Sequence, residues 1–238
     1  MELRGGGLVV WDVDGTLIPA DLRWLRRSIA KAYGLTEAEV TFPEKKVHGY
    51  TDESIVIDTA MASGVSPAEA EKGIGRFHDA LTSVMAGGRE EMTRIQAPYP
   101  GAAESITALH QSGYRQTVLT GNVRSAAEFK LETLGLDRYL DLRIGGFGSD
   151  DRNRFNLPGV IAHRFAEVFG FQLEPRRTVV IGDAPNDIAC ARHAGFSVAV
   201  VTHRASREEL AGYDPDAILD HLDPIEVVPT VEALLLRS

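Results

Sequence analysis

The sequence predicts a doubly wound α/β fold, a parallel sheet with helices on both faces, carrying a helical module inserted after its first strand. Short apolar runs recur as GLVVW at 7–11, RQTVL at 115–119, RTVVI at 177–181 and FSVAVV at 196–201. Continuous apolar runs of this length suit strands buried on both faces, as parallel strands are. Between the later runs lie segments of helical periodicity that stop at glycine, including Ala102, Ile106 and Leu109 on one face before Gly113, and 125–134 before Gly135. Glycine just past the last apolar turn is a helix stop. Pro19 to Ala97, by contrast, reads as helices with no strand between them. The expected division is therefore a core of 1–18 and 98–238 and a helical module of 19–97.

Within the module, Asp21 is expected to cap a helix with Leu22, Leu25, Ile29 and Tyr33 on its apolar face and Gly34 at its end. Thr51 or Asp52 can start a second helix. Ser66 to Glu69 form a capping box with Pro67 at the first helical position. A single stripe of Ala70, Ile74, Phe77, Leu81 and Met85 then runs to a break at Gly87 and Gly88. In the core, the glycine-rich stretch 145–148 reads as a turn after a strand, and Cys190 as core packing.

The 238 residues are 44% hydrophobic with a formal net charge of -9. That balance fits a folded globular protein and gives no support to a nucleic-acid groove or an anionic membrane surface as partner. One cysteine rules out an intramolecular disulfide, no apolar run reaches the length of a spanning helix, and Met1 to Gly7 is not a signal peptide. A cytoplasmic location is expected.

Open α/β sheets bind ligands beyond the carboxyl ends of their strands, so the residues ending each strand matter most. The first run ends in Asp12-Val13-Asp14-Gly15-Thr16, the second in Thr120-Gly121-Asn122, and a later one in Asp183-Ala184-Pro185-Asn186-Asp187. Each alone reads as a turn. Together, each directly after an apolar run, they point to one polar site. Asp12 and Asp14 cannot comfortably both be ionised at a dry strand end unless one takes a proton or a cation sits between them.

These segments resemble the haloacid dehalogenase superfamily over nearly the whole chain: DVDGT its first motif, LTGN its second, GDAPND its fourth, with an insertion of the size and helical character of its type 1 cap. The resemblance implies a Rossmann-like core with a cap over the active site, and phosphoglycolate phosphatase-like hydrolysis of a small phosphorylated metabolite. It implies Asp12 as nucleophile and Asp14 as general acid and base. Asp12, Asp14, Asp183 and Asp187 become the candidate Mg²⁺ site, and Thr120, Gly121 and Asn122 the phosphate cradle. The acid two residues after the nucleophile favours phosphoryl transfer over dehalogenation.

The third motif departs from the family pattern, because no lysine occurs between Phe147 and Val160. Arg154 is the candidate replacement, with Arg152 as runner-up, since arginine can grip phosphate with two donors. His48, Gly49, Tyr50, Thr51 and Asp52 form a polar turn that can start a helix, and the resemblance implies that such a cap loop, with His48 and Tyr50, can also face the active site and read the leaving group. The alternatives to a phosphatase are a phosphomutase, a non-catalytic phosphometabolite-binding protein and a signalling receiver domain. The helical insertion and Asp14 disfavour the receiver.

Overall fold

Apolar β1 (Leu8–Trp11) forms the centre of the sheet in a computed structural model that describes residues 7–43 and 50–236. It is buried throughout and pairs in parallel with β2 (Arg115–Thr120) on one side and β4 (Thr178–Gly182) on the other. β3 (Gly146–Phe147) lies outside β2, and β5 (Ser197–Val201) and β6 (Ala217–Leu219) continue beyond β4, giving the order β3-β2-β1-β4-β5-β6. The winding reverses direction beside β1, so the switch point falls where β1 and β4 both end. The Asp12 amide donates to the Ile181 carbonyl at 2.9 Å, carrying the pairing one residue past β1 and fixing the first carboxylate at that point.

Five helices separate β1 from the core helix α6 (Ala102–Gln111): α1 (Arg23–Tyr33), α2 (Asp52–Ala62), α3 (Pro67–Lys72), α4 (Ile74–Gly87) and α5 (Arg89–Ile95). Trp24, Leu25, Ile29, Phe77, Leu81, Met85 and Met92 bury one another there. Val123 and Ala126 join this cluster from the loop after β2 and from α7 (Arg124–Thr133), so the helical module shares its hydrophobic interior with one core helix. The two connecting segments run side by side. Tyr99 donates its amide to Leu17 at 2.9 Å, and the buried Gln96 side chain bonds both the Pro19 carbonyl at 2.6 Å and the Trp24 indole at 2.9 Å.

Several local expectations change. The stripe from Ala70 to Met85 is two helices, because the Tyr33 ring packs against Gly73 so closely that a Cβ would meet it at 2.2 Å. Gly87 and Gly88 end α4 but do not end helix, since α5 starts at Arg89. Gly146 and Phe147 form β3 rather than a turn after a strand. Asp21 accepts from the Arg23 amide at 3.0 Å, just ahead of a helix that starts at Arg23. The remaining core helices are α8 (Leu157–Phe169), α9 (Pro185–His193), α10 (Arg207–Ala211) and α11 (Pro224–Leu236), with Cys190 buried in α9. No helix among the described residues is long and apolar enough to cross a membrane.

Candidate active site

Asp12 leaves β1 into a tight loop closed by Gly15 donating to the Ile18 carbonyl at 2.7 Å. Gly15 has a φ of 102°, which favours glycine, and a Cβ there would meet the Asp183 carboxylate at 2.4 Å. The loop thus brings the β1 and β4 ends into contact. The Thr16 hydroxyl stands between their carboxylates, 3.4 Å from Asp12 Oδ2 and 3.3 Å from Asp183 Oδ1.

Arg154, in a single 3₁₀ turn between β3 and α8, is buried with its Nη2 2.8 Å from Asp12 Oδ1 and also bonded to Asp187 Oδ1. Burial would lower its pKa, but Asp187 and Asp12 outweigh that and hold it above its ordinary value. Its buried Nε has no partner among the described residues. Arg152 sits elsewhere: its guanidinium pairs with Glu53 of α2 at 2.8 Å and Glu71 of α3 at 2.7 Å, joining module to core.

Asp187 accepts the Asp183 and Ala184 amides on Oδ2, both at 3.0 Å, so it folds the β4 loop back at the start of α9. Carboxylate oxygens of Asp12, Asp183 and Asp187 lie within 4.8 Å of one another, all buried. Burial first, then the charge of Asp187, pushes Asp12 up to about 7 despite the pull of Arg154. Burial, then Asp187 and Asp12, pushes Asp183 up to about 8. Three buried acids with two arginines, Arg154 and Arg204, the latter 3.6 Å from Asp183 Oδ2, still carry an excess of negative charge, and their all-oxygen donor set suits a hard divalent cation. Both Asp187 oxygens already accept protein donors, whereas Asp12 Oδ2 and Asp183 Oδ1 share the single Thr16 hydroxyl.

Asp14 turns toward the β2 end. Its Oδ2 accepts from Asn122 Nδ2 at 2.8 Å and Lys130 Nζ at 2.5 Å, whereas its buried Oδ1 has no partner among the described residues. Thr120 is buried, and its hydroxyl oxygen accepts the Asn122 amide at 3.2 Å, leaving the hydroxyl proton free to be donated. Gly121 allows a close approach: a Cβ there would lie 2.0 Å from the Tyr50 carbonyl. Beside it the Asp52 amide donates to the Gly121 carbonyl at 2.7 Å, and the Asp52 carboxylate accepts from the Val123 amide at 3.0 Å and Asn122 Nδ2 at 3.4 Å. Thr51 is the N-cap of α2. Burial pushes Asp52 up to about 6 against the pull of Lys130.

One cavity gathers Asp12, Asp14, Thr120, Gly121, Asn122, Arg154, Asp183 and Asp187 from the core. Its far wall is Leu22, Trp24, Leu25, Tyr50, Ile55, Leu81 and Met85. Of the two residues proposed to read the leaving group, Tyr50 lines this cavity and His48 lies outside the described residues. Sequence reasoning missed Lys130, and it placed Asp52 in a polar turn that could start a helix or face the active site, without its tie to the Gly121 loop. The signal for Lys130 was its register: it shares the apolar face of α7 with Ala126, Ala127 and Leu131, where a solvated lysine does not belong.

A doubly wound sheet that presents paired carboxylates and a buried arginine at its switch point, under a helical insertion, defines a capped α/β hydrolase with an acidic centre. Residues 7–195 match the haloacid dehalogenase-like hydrolase family, and the chain belongs to it. It is 30% identical to a phosphoglycolate phosphatase of Agrobacterium fabrum over 90% of this chain and 88% of that one. It is 24% identical to the pyrophosphatase PpaX of Halalkalibacterium halodurans, covering 92% of this chain and 95% of that one. The crystal structure of CbbY from Rhodobacter sphaeroides in complex with phosphate shares the fold, with a TM-score of 0.66 at 17% identity, covering 95% of this chain and 99% of that one.

Proposed function

We propose that this chain is a cytoplasmic Mg²⁺-dependent phosphatase that hydrolyses a small phosphomonoester through an aspartyl-phosphate on Asp12. The observation that carries this reading is the division of labour between two carboxyls in one cavity: Asp12 is held by Arg154, and Asp14 keeps one oxygen without a partner among the described residues. Relatives named for phosphoglycolate and pyrophosphate hydrolysis support a small phosphorylated substrate.

In this reading Asp12 attacks phosphorus in line, and the alcohol departs with a proton from Asp14. Asp14 then takes a proton from the water that cleaves the acyl phosphate. The Thr120 hydroxyl, the Gly121 amide and the Arg154 Nε, which has no partner among the described residues, supply donors for the phosphoryl oxygens, where transition-state charge spreads. Mg²⁺ held by Asp12, Asp183 and the main-chain carbonyl of Asp14, with Asp187 in support, would supply the positive charge that an anionic nucleophile needs against a phosphate dianion. Residues 19–97 act as the cap, and their apolar wall with Tyr50 faces the leaving group.

The direct test is a panel of phosphomonoesters assayed for phosphate release with Mg²⁺ and with chelator. Metal-dependent release supports the reading. Undiminished release in excess chelator removes the metal, and accumulation of an isomerised ester instead of phosphate makes the chain a mutase.

A second expected result concerns stability. Asp12 and Asp183 have folded-state pKa values raised to about 7 and about 8, so their contribution is fully present below the unfolded carboxyl range and is lost as pH rises through those values. A cation that binds the ionised pair restores what is lost. Mg²⁺ is therefore expected to raise Tm more near pH ~8 than near pH ~5, as thermal melts at both would show. An equal or reversed increment would remove these two carboxylates as its ligands.

A further inference from the structure

Lys130, on α7, lines the same cavity as Asp12 and Asp14. It is buried, and it donates to Asp14 Oδ2 at 2.5 Å and to Asn122 Oδ1 at 3.0 Å. The Asn122 amide nitrogen donates in turn to the same Asp14 oxygen and to Asp52 of α2. A lysine this deep is expensive to hold unless its charge is paired and its donors used. Here both partners belong to the cavity.

We propose that Lys130 is a positioning residue that fixes the Asp14 carboxyl, so that Oδ1 is the oxygen presented to the leaving group. This rests on the phosphatase reading above and adds to it. Oδ2 accepts two strong donors, one of them an ammonium with no acceptor capacity, so both lone pairs on that oxygen are occupied. Oδ1 is buried and without a partner among the described residues, and an unpaired buried oxygen needs something the cavity must supply. When Oδ1 carries the carboxyl proton, the ester oxygen of a bound substrate is the acceptor to which it can donate. Rotation of the carboxyl would break two hydrogen bonds, one of them to a charged group. The cap takes part through Asp52, whose amide and carboxylate tie α2 to the loop carrying Asn122.

The experiment compares two esters in wild type and in Lys130→Met: a simple alkyl phosphate, whose departing alkoxide needs a proton, and dinitrophenyl phosphate, whose phenolate does not. The quantity is kcat/KM, which counts only steps up to departure of the alcohol and so excludes the later hydrolysis of the intermediate. Misplacement of Asp14 should reduce kcat/KM for the alkyl ester by about 10- to 100-fold, less than the roughly 10²- to 10⁴-fold of a general acid lost outright, and at least about tenfold more than for the aryl ester. Lys130→Gln, which can still donate to Asp14 Oδ2, should recover part of the alkyl rate. Parallel losses on both esters, or no loss on either, would overturn the assignment, since a residue that only stabilises the fold cannot discriminate leaving groups. Turnover of the aryl ester by the variant also reports that the site has folded. Failure of the phosphatase reading is separate and visible in wild type, as no phosphate release from either ester.

Discussion

Asp12→Asn is expected to abolish phosphate release from every ester, a loss of at least about 10⁴-fold in kcat, while leaving the protein folded. The amide nearly matches the carboxylate in shape and its oxygen can still accept from Arg154, but it cannot attack phosphorus. The same change should leave Tm undiminished in metal-free protein. Asp12 lies with Asp183 and Asp187 in a buried cluster that burial and mutual repulsion already penalise. Removing one of three like charges relieves that repulsion. A variant that retains wild-type turnover would end the covalent mechanism, and one that loses turnover together with several degrees of Tm would show Asp12 to be structural.

Arg154→Ala should have the second largest effect, on two measurements at once. The Arg154 side chain is 6% exposed, and the carboxylates it pairs with, Asp12 and Asp187, are 7% and 1% exposed. Truncation leaves both uncompensated, which costs about 3–5 kcal/mol when one partner of a buried pair is removed. It also takes a charged donor from the phosphoryl oxygens, a loss of about 10²- to 10³-fold in kcat. A large fall in Tm should therefore accompany the fall in rate, and adding Mg²⁺ should recover part of the Tm. Arg152→Ala is the comparison. Its guanidinium is half-exposed, so its pairs with Glu53 and Glu71 are worth at most about 1 kcal/mol. If Arg152→Ala is the crippled variant, the functional cation is the one that clamps the cap.

How much of this was legible depends on which force wrote each element. β1, β2, β4 and β5 were readable because a strand covered on both faces must be apolar along its length. β3 and β6 are two and three residues long, and their pairing comes from neighbours already in place rather than from any local pattern. The helical module was visible as a whole but not in its joints. Gly73 breaks a continuous stripe because an aromatic ring from α1 needs its space, a contact 40 residues away in sequence. The carboxylates at the ends of β1 and β4 stood out because acids there demand an explanation. Lys130 did not, because lysine in a helix is ordinary until its register is compared with the buried face. Asp52 was legible as part of a polar turn, but its tie from α2 to the Gly121 loop exists only in three dimensions.

The side-by-side entry and exit of the helical module has a consequence for how this chain can change. Gln96 bonds the Pro19 carbonyl, and Tyr99 bonds Leu17, so the insertion leaves and rejoins the core at almost one point. Closing the core across that gap needs only a short turn, and the entropy of doing so depends weakly on how many residues hang beyond it. The insertion can therefore lengthen, shrink or be exchanged with little effect on assembly of the sheet. Val123 and Ala126 set the limit on that freedom, because they are buried in the apolar cluster that the helices of the insertion form. Any replacement must offer those two side chains an apolar partner, or the helix bearing Lys130 will begin at an unpacked, exposed edge.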